Sequence, residues 1–111
     1  MDRCKTRITV LKCMDNRRIQ EKERIGGHCG ACDAFEVGQS FDAGWDIPEG
    51  FCGFAWADIH DDVKMIQCGG NPAHIQQECT TISCCKDALS PVVFKIERLD
   101  ESLRGEATWL D

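Results

Sequence analysis

Nine cysteines, Cys4, Cys13, Cys29, Cys32, Cys52, Cys68, Cys79, Cys84 and Cys85, stand among the 111 residues of this chain. Thiolates bind soft metals and act as nucleophiles in redox or covalent chemistry. The density approaches that of a small disulfide-stapled domain. An odd count, however, cannot pair completely within one chain. The N-terminus, MDRCKTR, is charged at once and has no apolar run, unlike a secretory signal. The pattern therefore predicts reduced thiols in a cytoplasm, without a disulfide framework.

Cys29-Gly-Ala-Cys32 has the two-residue gap that lets both sulfurs reach one ion at about 2.3 Å. A full zinc signature needs a second such pair or two nearby histidines, and the chain has neither. A redox dithiol would want a helix directly after the pair to favour the thiolate, whereas DAFEVGQSF reads as a strand. Metal pair, redox dithiol and unrelated loop thiols all stay open at this point. Cys52 begins a predicted helix, where the dipole favours a thiolate. Its bland alternative is a small buried apolar residue. Cys84 and Cys85 are neighbours at a predicted strand end, so they should face opposite ways. With Ile82 core-facing, Cys84 would join the core and Cys85 would lie with Ser83 on the other face. Cys4, Cys13, Cys68 and Cys79 read as small hydrophobes. The histidines are scattered, and His28 beside Cys29 is the only one placed like a ligand. No Ser-His-Asp order, phosphate loop or nucleophile elbow occurs.

The elements that must position these thiols follow from periodicity. Cys52, Trp56, Ile59, Val63 and Ile66 recur at spacings of four, three, four and three, which is the stripe of an amphipathic helix over 53–67. Gly69-Gly70 and Pro72 end it. Asp58, Asp61 and Asp62 lie on its other side and read as a solvated face. Residues 7–12, 35–41, 80–84 and 92–97 read as strands, the second broken by a turn or bulge at Gly38. Residues 14–24 form a short exposed helix with Asp15 as cap and Ile19 as anchor, and 42–50 a connector. The tail after Arg98 is expected to fray, with Trp109 and Leu110 docking back. The expected fold is a single α+β domain over 1–111, with a mainly antiparallel sheet of about four strands and one principal helix. Residues 7–12 and 92–97 are neighbours in that sheet.

Thirteen basic and nineteen acidic residues give a net charge of −6, which disfavours nucleic acid and anionic membrane surfaces as partners. No apolar run approaches the roughly 20 residues of a membrane span.

The blocks ITVLK, C-x-x-FEVGQSF, PEGFCGFAWADI, Gly69-Gly70 and CCKDALSPVVFKIER together resemble a small cysteine-containing family of similar length, found mostly in anaerobic bacteria and archaea. The resemblance spans residues 7–98 and carries no established activity. It implies that Cys32, Cys52, Cys84 and Cys85 are the family's cysteines, and that Cys29 and the other four are additions in this chain. Three residues depart from the family pattern. Asp33 replaces a frequent proline, Phe54 a frequent tryptophan and Ala88 a usual glycine. On the resemblance, the site shifts from the Cys29–Cys32 pair to Cys32, Cys52 and one of Cys84 or Cys85.

Three function classes follow. In the first, the protein binds zinc or an iron–sulfur cluster through Cys32, Cys52 and Cys85, with Cys29 or Cys84 as a fourth ligand. Three ligands with an open position would be catalytic, and four structural. Cys32 and Cys52 should then lie side by side. In the second, a metal-free enzyme or redox sensor uses an activated Cys52, with Asp58 its nearest acidic neighbour along the helix. In the third, a small ligand-binding or assembly module keeps its cysteines as inert core and binds through Trp45, Phe51, Phe54 and Trp56. A homo-oligomer and a small-molecule ligand are compatible with all three.

Overall fold

The structure, a computed structural model, describes residues 2–27 and 29–104. His28, Trp109 and Leu110, for which roles were expected, lie outside the described residues. The order is β1 (Cys4–Cys13), α1 (Arg17–Glu23), β2 (Ser40–Ala43), α2 (Gly53–Gln67), β3 (Thr80–Cys84) and β4 (Val92–Ser102). The strands form one antiparallel sheet in the order β2-β1-β4-β3. The α+β class, the principal helix and the pairing of the first strand with the last are as the sequence implies.

Alternation along β1 and β4 explains the core. Ile8 and Val10 on β1, and Val92, Phe94 and Ile96 on β4, turn to one face and are buried. The α2 stripe of Ala55, Ile59, Val63 and Ile66 covers that face. Burying each such Val, Ile or Phe stabilises the fold by about 1.5–3 kcal/mol. Phe35, Phe51 and Phe94 interlock at centroid separations of 5.1–5.6 Å, with Phe41 against Phe35 and Phe51. On the opposite face Arg7 pairs with its cross-strand partner Asp42 through two bonds of 2.8 and 3.2 Å. The guanidinium holds the Asp42 carboxyl below its ordinary range.

Four local expectations are corrected. Residues 35–37 are not strand. Gly38 takes φ +90° in a turn closed by Gln39 N–H to the Glu36 carbonyl; Gly38 N–H and the Gln39 carbonyl bond Val10, and the regular strand runs from Ser40 into part of the expected connector. The short helix starts at Arg17 with Asn16 as N-cap, while Asp15 binds Arg17 instead. Ile19 is half exposed, and the buried residue of that helix is Gln20. Ile82 faces outward. Thr81, paired with Ile96, turns inward, and Ser83 donates to Asp62 on α2 at 2.6 Å. Finally, β4 continues past Arg98 to Ser102, and Leu103 is fully buried, so this part of the tail does not fray. The resemblance's missing glycine at Ala88 is accommodated: the one described non-glycine residue at positive φ is Cys79.

The end of α2 is a Schellman motif. Gly69, at φ +97°, donates to Ile66 at 3.1 Å, and Gly70 donates to Met65 at 2.8 Å. A β-carbon on Gly69 would force an L-residue into the left-handed region. Gly69→Ala should therefore lower stability by about 1–2 kcal/mol with the circular dichroism spectrum unchanged. Urea denaturation measures this, and unchanged stability would count against the motif.

Candidate functional site: a thiol-lined pocket

Three segments bring thiols together. The first is the long segment 24–39 between α1 and β2. Structureless loops beyond about 12–15 residues are uncommon in a compact domain and are either functional or linker-like. Here the loop carries Cys32. The second is the start of α2, where Cys52 is the N-cap residue with extended backbone; its carbonyl accepts the first helical bond from Trp56 at 2.9 Å. The third is the turn between β3 and β4, which carries Cys85. These thiols line one pocket of about 500 Å³ with Phe35, Ala55, Val92 and Ser90. Asp58, Asp87 and the 87% exposed Phe54 complete the lining.

Two of the sulfurs accept backbone hydrogen bonds. Ala34 N–H lies 3.4 Å from Cys32 Sγ, and Val92 N–H lies 3.3 Å from Cys85 Sγ. Backbone donors of this kind orient a sulfur and tune any ion that it holds. The Cys85 backbone closes the same turn, its N–H donating to the Val92 carbonyl at 3.1 Å.

Gln20 holds the two loops in register. Its side chain is fully buried. Oε1 accepts from Gly30 N–H at 2.6 Å. Nε2 shares its protons among the carbonyls of Gly30 (3.0 Å) and Leu89 (2.6 Å) and Ser90 Oγ (3.1 Å). Ser90 Oγ in turn donates to the Gly30 carbonyl at 2.7 Å. One amide therefore ties the Cys32 loop to the Cys85 turn. Asp87 Oδ1 folds that turn by accepting from Leu89 and Ser90 N–H, and Asp58 Oδ2 ties it to α2 by accepting from Lys86 N–H at 2.8 Å.

The expected residues separate into two groups. Cys32, Cys52 and Cys85 share the pocket. Cys29 is exposed and neighbours Arg17, away from Cys32's pocket wall. Cys84 follows Ile82 onto the outer face and is exposed, the reverse of the expected assignment, because the strand faces are interchanged. Burial, Cys85 and Asp58 push its thiol up. Asp58 and Asp62 are not a free solvated face: they bind the β3–β4 turn and Ser83. The four expected aromatics do not meet in the thiol pocket. Phe51 is core, Trp45 covers the Lys64 ammonium at 3.6 Å, and of the four aromatics only Phe54 lines the thiol pocket.

Sequence reasoning missed Gln20 and Cys13. Cys13, read as a plain hydrophobe, sits beside the pocket with Sγ 3.6 Å from the Phe35 carbonyl. Burial pushes its thiol up, and Cys32 and Cys85 add to that. Cys68 is exposed rather than core. All nine cysteines are free thiols, and among the described residues no three His, Cys, Asp or Glu side chains stand close enough to hold an ion as placed. No described helix is long and apolar enough to cross a membrane.

Comparison of the chain with protein-family models, with curated proteins and with solved structures finds no match.

Gln20→Ala should cost about 1–3 kcal/mol, since buried partners are left unsatisfied. It should also speed exchange of the Gly30 amide proton, which hydrogen-exchange NMR reads directly. Unchanged stability and protection would contradict the role given to this amide.

Proposed function

We propose that the protein binds a soft metal ion, as zinc or within an iron–sulfur centre, through the thiolates of Cys32, Cys52 and Cys85. The observation that carries this reading is their meeting in one pocket from three separate segments. The donor chemistry fits, because thiolates select these metals and backbone N–H groups already address two of the sulfurs. The three side chains must reorient to close on one ion. Adjacent thiolates repel one another, and a divalent cation removes that repulsion. The reading places the protein in a reducing cytoplasm. Its acidity disfavours nucleic acid and anionic membranes as partners.

A second reading is favoured by one observation. Cys52, at the α2 N-terminus, faces the pocket, and open space adjoins Gly53. A metal-free enzyme or sensor would use that thiol as its nucleophile.

Protein purified without oxygen and analysed for metals decides between them. The metal reading expects near-stoichiometric zinc or iron, reduced sharply in each of Cys32→Ser, Cys52→Ser and Cys85→Ser. Metal-free, fully folded wild-type protein in which Cys52 alone alkylates at neutral pH would overturn it in favour of the second reading.

A further inference from the structure

We infer that the thiol-lined pocket is a binding site for a small organic ammonium, a primary amine that carries an aromatic ring or a short apolar body. The inference goes beyond the metal-binding reading and does not rest on it. It uses the walls and the carboxylates of the pocket, and its sulfurs only as wall.

The pocket, at about 500 Å³, is of the size that encloses a small molecule. Phe35, Ala55 and Val92 are buried core residues that present apolar surface to it. Thiols beside them behave as small hydrophobes towards an apolar body. Phe54 lines the pocket although it is mostly exposed, so a large ring stands in water beside the cavity. A ring so placed can cover a ligand and offer its negative face to a cation.

Charge selects the ligand. Asp58 reaches the pocket from α2 and Asp87 from the β3–β4 turn, and among the described residues no lysine, arginine or histidine lines it. Asp58 Oδ2 accepts from Lys86 N–H, and Asp87 Oδ1 accepts from the N–H groups of Leu89 and Ser90. Backbone donors thus orient both carboxylates without neutralising their charge. The second oxygen of each has no partner among the described residues. The N-terminus of α2, which has no side-chain cap, brings about half a positive charge to the same region, against two full negative charges. The balance stays negative, in a chain whose net charge is −6. It disfavours an anion, and a neutral body would pair with neither carboxylate. An ammonium supplies three charged N–H donors to them while its apolar body fills the walls.

Amide NMR titration of the full chain, kept under reducing conditions, tests this. The probe is phenethylamine, with phenylethanol and phenylacetate as neutral and anionic counterparts of like shape. Phenethylamine is expected to shift the amide signals of Ala55, Ser90 and Val92 saturably and to bind several-fold more tightly than phenylethanol, with phenylacetate weakest. Asp58→Asn and Asp87→Asn each keep an acceptor oxygen for the backbone N–H groups and remove one charge. Each should weaken phenethylamine by up to about fivefold, as loss of a partly exposed ion pair does, and leave phenylethanol unchanged. Added salt should weaken the amine and not the alcohol. Equal affinity for amine and alcohol, or amine-induced shifts away from these residues, would overturn the inference. So would an amine affinity that neither substitution changes. If a substituted chain fails to fold, the comparison of the three probes on the wild type still decides. Metal content enters none of these readouts, so this inference and the metal-binding reading fail separately.

Discussion

The buried amide of Gln20 is the constraint on which the rest of the site depends. It is a single side chain, yet it satisfies polar groups of two loops that have few regular hydrogen bonds of their own. In a low-dielectric interior an unpaired Gly30 N–H or Leu89 carbonyl would be expensive, so a satisfied network is strongly selected over a partly satisfied one. The short helix α1 is too small to be stable alone. It folds because Gln20 docks it, and because Asn16 binds the 88–89 turn through its Nδ2 and its backbone N–H. The glycine-rich loop is then fixed at Gly30, two residues before Cys32, and the turn at Leu89–Ser90, four to five residues after Cys85.

The sheet and α2 supply the other half of the frame. Helix α2 is pinned on the core face by its aliphatic stripe and at its side by Ser83–Asp62 and Lys86–Asp58. That sets Cys52 at the pocket edge. The resulting arrangement gathers thiols within a half-buried volume beside two carboxylates. Beside this pocket, burial pushes the Cys13 thiol up, and Cys32 and Cys85 add to that push. A bound cation reverses that balance, which is the physical reason to read the cluster as a metal site and not as inert core.

Features with a strong period were legible in the sequence. The α2 stripe gave the helix to the residue, and β-branched runs located β1, β3 and the first half of β4. The rest turned on long-range contacts. Ile82 looks like a core residue by type, but the pairing of Thr81 with Ile96 decides which face is inward, and Cys84 and Cys85 exchange roles with it. Phe35 is buried without being in a strand, because the turn at Gly38 lets a loop residue reach the core. Gln20 is invisible to any periodicity argument, since a polar residue in a polar helix gives no sign that its partners lie ten and seventy positions away. Cys13 likewise carries no motif; only its register opposite Val92 brings it beside the pocket.

The central claim is that Cys32, Cys52 and Cys85 hold one ion together. Cadmium-113 NMR of the full chain loaded with cadmium under reducing conditions tests it most directly, because scalar coupling identifies the bound cysteines individually. The account predicts a single cadmium resonance, coupled to the β-protons of Cys32, Cys52 and Cys85. Coupling to Cys29 or Cys84 in their place, or cadmium divided among several sites without Cys52, would contradict it.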